Sequence, residues 1–133
     1  MLRYALSYLA TAVAFLVLDA TWLTLTVNRL YRPYMGAIMA DKPALGPAAA
    51  FYLIYIAAIL VLAVLPAAKA GSRSQLLTRA AMFGLAAYAT YDLTNQATLK
   101  DWSTVLTLAD LAWGTFATTM AASVGFLVAR KLG

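Results

Sequence analysis

An all-α integral membrane bundle of four transmembrane helices is the fold this sequence predicts, and three observations predict it. The 133 residues are 64% apolar and only 11% charged, whereas soluble domains run at about 45–50% apolar and about 25% charged. The apolar residues fall into four runs, each long enough to cross a hydrocarbon core of about 30 Å at about 1.5 Å per helical residue. The Lys and Arg residues collect at the ends of those runs, where they anchor helices and set their orientation. One domain uses the whole chain. The net charge of +5 does not point to nucleic acid, because the basic residues form no stripe with interleaved aromatics. The partner this composition demands is a lipid bilayer.

The first run covers residues 4–27. Arg3 precedes it, as in a signal peptide. The run is too long for one, however, carries Asp19 and Trp22, and lacks a small-residue cleavage pattern before a polar start. It reads as a transmembrane helix. Residues 28–47 read as a connector broken by Pro33, Gly36, Pro43 and Pro47. Tyr31, Tyr34, Met35 and Ile38 give it an amphipathic, interfacial character. The Tyr31-Arg32-Pro33-Tyr34 piece reads as an interfacial anchor that could also cap a pocket mouth. The second run, residues 48–67, opens on Phe51, Tyr52 and Tyr55, like an aromatic belt, and closes at Pro66.

A basic loop around Lys69, Arg73 and Arg79 leads into the third run, residues 76–99. Lys100, Asp101 and Trp102 make a polar turn. The fourth run, residues 103–128, ends in Arg130 and Lys131. Four spans place both termini on one side. Arg3, Lys69, Arg73, Arg79, Arg130 and Lys131 fall on that side, against Arg29, Arg32, Lys42 and Lys100 on the other. The positive-inside rule therefore puts both termini in the cytoplasm.

There is no Cys, no His and no Glu. That removes thiol nucleophiles, disulfides, His-ligated haem and most zinc sites. No metal-ligand spacing or cofactor signature takes their place. Ser and Thr are plentiful, but none has a neighbouring base to activate it. The chemistry rests on Asp19, Asp92 and Asp110, the three acids inside apolar runs.

Asp92 has the richest setting. Tyr88, Tyr91, Asp92 and Asn95 follow the i, i+3, i+4, i+7 rule and share a helix face. Counted from the cytoplasmic edge, Asp19 lies about 22 Å up, Asp92 about 24 Å and Asp110 about 18–20 Å. Three acids on three helices thus fall at similar depth, in the outer half. A charged residue at mid-membrane costs about 2.5–3.5 kcal/mol on insertion scales, so it faces the bundle interior and finds partners. No Lys or Arg lies within a span to neutralise these acids.

The candidate site therefore takes Asp92 as its central acid and Asp19 and Asp110 as partners. Asn95, Tyr88, Tyr91 and Tyr52 form a hydrogen-bonding wall. Trp22 and Trp113 each follow an Asp by three residues and join the site on spacing, although core or interfacial packing is the simpler explanation of them. The Gly114, Ala117, Thr118, Ala121, Gly125 stripe lets a neighbouring helix approach closely, from this chain or a second copy.

Three functions fit this pattern. One is a pocket that binds or passes a small solute, proton or cation, with a homodimer as the way to enlarge so small a bundle. A second is a membrane-embedded enzyme acting on a lipid or isoprenoid, its carboxylates doing acid–base work or holding a hard metal. A third is an accessory or sensor subunit whose acids only clamp the helices together.

The motifs also carry a resemblance. Leu18-Asp19-x-x-Trp22-Leu23, Tyr31-Arg32, Phe51-Tyr52-x-x-Tyr55, Tyr88-Ala-Thr-Tyr91-Asp92-Leu-Thr-Asn95, Lys100-x-Trp102 and Asp110-x-x-Trp113-Gly114 occur in the order seen in the DUF2177 family. The chain resembles these small bacterial membrane proteins over nearly its whole length. The resemblance implies a four-span protein of the bacterial inner membrane and supplies no activity.

Overall fold

The computed structural model describes residues 1–133, and every regular element in it is helical. Four long helices follow one another: α1 (Leu2–Ile38), α2 (Leu45–Ala70), α3 (Arg73–Thr98) and α4 (Thr104–Leu132). Short turns reverse the chain between them, so both termini lie at one end of the bundle. There the Arg3 Nε donates to the Ala129 carbonyl at 3.0 Å. Helices α1, α2 and α4 are long and apolar enough to cross a membrane. Helix α3 has 26 residues and the same reach. It is more polar because Arg73, Gln75 and Arg79 occupy its first turns and Tyr91 to Thr98 its last.

The segment expected to be a separate connector is continuous with α1. The α-helix from Leu2 to Thr26 widens into a π turn at Val27–Tyr31, then runs through an α turn at Arg32–Met35 and a 3-10 turn at Gly36–Ile38. Asn28 and Arg29 are polar but do not break a helix. Pro33 follows the π turn at the same spacing as Pro66 does in α2, and the wider turn accommodates its ring. The sequence signals read as a span boundary mark a change of environment and not an end of helix.

The reversals are chemically specified. Gly71 ends α2 in the left-handed region at φ 66°, which a residue without Cβ adopts freely. Ser72 accepts from the Gln75 N–H at 3.1 Å and starts α3. Ser103 does the same for Val105 at the start of α4, again at 3.1 Å. Pro66, inside α2, lacks the N–H that an α-helix would give to the Leu62 carbonyl. The Arg79 guanidinium of α3 supplies the missing donor at 3.1 Å. A π turn at Leu60–Val64 accommodates the ring just before it.

Polarity is arranged inside out relative to a soluble bundle. Leu9, Val13, Val17, Ile54, Met82 and Leu127 are exposed, while Ser7, Thr11, Thr107, Thr118 and the three intramembrane Asp are buried. Lipid solvates the apolar exterior, so only close packing and internal hydrogen bonds hold the interior. Glycines allow the closest approaches. A Cβ on Gly84 would stand 2.6 Å from the Gly114 carbonyl, and one on Gly125 would stand 2.1 Å from Thr11 Oγ1. The small-residue stripe of α4 is therefore filled from within the chain, by α3 on one side and α1 on the other.

Candidate functional site

The polar side chains converge near the end of the bundle opposite the termini, and each helix contributes. On α1, Asp19 is buried with 9% exposure. The Tyr52 hydroxyl of α2 donates to its Oδ2, and the Trp113 indole of α4 donates to its Oδ1 at 3.4 Å. One carboxylate thus ties three helices. Interhelical bonds of this kind contribute about 0.6 kcal/mol each on average and up to about 1.7.

On α4, Asp110 is buried with 5% exposure. Its Oδ1 accepts from the Tyr31 hydroxyl, which in turn accepts from the Trp22 indole N–H at 2.8 Å. The π turn of α1 makes this relay geometrically available. Twelve residues at about 100° each put Tyr31 about 120° around the helix from Asp19. One residue absorbed by the wider turn reduces that to about 20°. Tyr31 thereby joins the same face as Asp19 and reaches α4. The Trp22 and Trp113 rings lie stacked, with centroids 4.6 Å apart and planes within 6°. They cover the two acids from α1 and α4.

On α3, Asp92 is completely buried, and neither carboxyl oxygen meets a hydrogen-bond donor. The polar group facing it is the carboxyl of Asp110. Two carboxyls from neighbouring helices thus meet with no cationic side chain beside them. One proton or cation between them would satisfy both, whereas two bare carboxylates would repel each other in a medium of low dielectric.

These groups surround a cavity of about 430 Å³. Helix α1 contributes Asp19, Trp22, Leu23 and Tyr31 to its wall, and α2 contributes Phe51 and Tyr55. Helix α3 adds Ala87, Tyr88 and Tyr91, and α4 adds Asp110 and Trp113. The Tyr55 hydroxyl is anchored on Thr118 at 2.8 Å. Tyr88 stands against Gly114 so closely that a Cβ there would lie 2.1 Å from its ring. Gly114 therefore makes the room in which Tyr88 presents itself to the cavity. Tyr91 is 53% exposed at the rim and meets Trp102 edge-on at 5.9 Å.

The structure distributes the expected site residues unevenly. Asp19, Asp110, Trp22, Trp113, Tyr88 and Tyr91 line the cavity. Tyr52 supports it from behind through Asp19. Asp92, expected at its centre, lies behind the wall and faces Asp110. Asn95 is half-buried, outside the lining. Tyr31, Tyr55 and Phe51 enter as wall residues. The Phe51, Tyr52, Tyr55 cluster signalled the last two, because an aromatic run at a span's outer end can face inward as well as outward. No three acids converge closely enough to hold a metal ion.

The helices and this cluster define a small, all-helical membrane protein with an acid-lined aromatic cavity. The chain belongs to the family described as predicted membrane protein (DUF2177), whose model matches residues 4–127. Comparison with curated proteins and with solved structures found no match for the chain.

Proposed function

We propose that this protein binds a small solute in the cavity between Asp19 and Asp110, and that the Asp92–Asp110 pair holds a proton or cation beside it. The observation that carries the reading is the fully buried Asp92 carboxyl, which meets no tyrosine, tryptophan or basic donor and faces a carboxyl that lines an open cavity. An unpaired buried acid is expensive in a membrane interior and marks function in preference to structure. At about 430 Å³ the cavity falls in the range of small-molecule sites, about 300–1,000 Å³.

A purely structural clamp would pair Asp92 with a donor, as Tyr52 and Tyr31 pair the other two acids. An enzyme acting on a lipid or isoprenoid is less well supported, because the acids do not converge to hold a hard metal and the two that line the cavity are each held by a tyrosine hydroxyl. Following the positive charge, the termini face the cytoplasm of a bacterial inner membrane and the cavity opens towards the far side. One chain supplies the whole cavity, so binding needs a single copy. A homodimer would serve passage, by supplying a second gate.

Native mass spectrometry of the protein released from its own membrane tests the reading. The expected result is a small-molecule adduct that Asp110→Asn weakens and Asp41→Asn, at an exposed acid, leaves in place. A folded protein carrying no adduct, or one indifferent to Asp110→Asn, would overturn it.

A further inference from the structure

We infer that the solute is an organic cation, an amine or quaternary ammonium with apolar substituents, held between the aromatic walls and the carboxyls of Asp19 and Asp110. The inference rests on the solute-site reading above and names the class of solute.

Charge sign comes first. The only ionisable groups in the wall besides tyrosines are two acids, with a third buried behind them, and no Lys or Arg lines the cavity. Arg29 and Arg32, the basic residues nearest in sequence to Tyr31, are exposed. An anion has no counter-charge here, and a neutral hydrocarbon has no use for two carboxyls. The complement of this wall is positive.

Size and surface come next. A water molecule occupies about 30 Å³ of liquid, so the cavity has room for far more than a bare ion. A hard inorganic cation needs several oxygen ligands converging at once, and the acids do not converge in that way. The wall is mostly aromatic instead: Trp22, Tyr31, Phe51, Tyr55, Tyr88, Tyr91 and Trp113 make up seven of its eleven residues. Ring faces carry negative potential and attract weakly hydrated cations, Trp most strongly. Tyr52, Trp113 and Tyr31 already fix the two carboxyls in place. Each oxygen keeps a free lone pair for a ligand N–H or an ammonium charge.

Access points the same way. The outer half of α2 packs on α1 and meets α3 through the Tyr55 ring, which lies 5.1 Å from Phe83 and 6.3 Å from Tyr88. Above that ring the rim is formed by Leu23, Phe51 and Tyr91, all exposed on the bundle surface. An amphiphilic cation dissolved in the outer leaflet could enter with its apolar part leading.

The test uses the full chain in phosphatidylcholine nanodiscs, with Trp102→Phe so that fluorescence reports Trp22 and Trp113. The probes are benzyltrimethylammonium and its neutral carbon isostere, neopentylbenzene, with empty nanodiscs as the partition control. The cation is expected to saturate the signal at a concentration at least about tenfold below the isostere. Asp110→Asn should weaken the cation about tenfold and leave the isostere unchanged, while Asp41→Asn changes neither. Asp19→Asn keeps an acceptor for Tyr52 and gives a second charge-removing variant if Asp110→Asn does not fold. Equal binding of the isostere would overturn the cation assignment and leave the solute site standing. Indifference of the cation to both Asn variants would overturn it too, as would a folded protein showing no saturable response to the cation. The solute site itself falls if the cavity also proves empty of any ordered occupant in protein purified with its native lipids.

Discussion

Asp92→Asn should make this protein more stable. The side chain is fully buried, and both of its oxygens lack a donor. A buried polar group left unsatisfied costs about 1–3 kcal/mol, and more when charged. Asn has nearly the same shape, and its NH₂ donates to the facing Asp110 carboxyl without the proton or cation that the Asp92–Asp110 pair must first take up. An interhelical bond of that kind adds about 0.6–1.7 kcal/mol. The Asn carbonyl still lacks a partner, so only part of the desolvation cost is recovered. The net gain is about 1–3 kcal/mol, a rise in melting temperature on the order of 5 °C for a chain of this size. Circular dichroism melts of detergent-purified protein measure it directly. Asp92→Leu, which removes the polar group without adding a donor, should be neutral or mildly stabilising. A fall of several degrees in both variants would refute the reasoning. It would mean that the carboxyl holds the bundle together, as a structural clamp does.

Other substitutions probe the neighbouring parts. Tyr31→Phe removes the donor to Asp110 Oδ1 and should cost about 1–3 kcal/mol, while Tyr34→Phe, at an exposed ring, should leave the melting temperature unchanged. Gly114→Ala sets a methyl about where the Tyr88 ring now lies; overpacking of this kind costs about 1–3 kcal/mol, and the displaced ring should close the cavity to benzyltrimethylammonium. Arg79→Met strips the Leu62 carbonyl of its donor and should lower the melting temperature by an amount that Pro66→Ala, which restores the helical N–H, largely cancels.

Much of the fold was legible because membrane physics leaves few options. A run of about twenty apolar residues must be helical to satisfy its own backbone, so the helix count followed from hydropathy. The legible part of the site followed from cost: an acid in a span must face inward, and Asp19, Asp92 and Asp110 all do. Two features could not be read this way. Asp92 shares a helix face with Tyr88 and Tyr91, yet they line the cavity and it does not. A helical wheel gives direction but not which neighbour stands in front, and here the Asp110 side chain does. Tyr31 reads in sequence as part of an interfacial connector that could also cap a pocket mouth, because polar Asn28 and Arg29 precede it and Pro33 and Gly36 follow; a uniform turn of about 100° per residue would in any case carry it away from Asp19. The π turn that brings it back leaves no composition signal: Val27-Asn-Arg-Leu-Tyr31 looks like the frayed edge of a span. The small-residue stripe of α4 announced close approach but not by what. The Tyr88 ring, the Gly84 turn and Thr11 answered that only once the helices were assembled.

The most direct test of the solute site is a density map of the protein purified in nanodiscs that retain its native lipids. The account predicts ordered non-protein density between the Trp22–Trp113 pair and the Asp110 carboxyl, lost in Asp110→Asn. A wild-type cavity that has collapsed, with Tyr88 or Phe51 filling it and no ordered occupant, would contradict it.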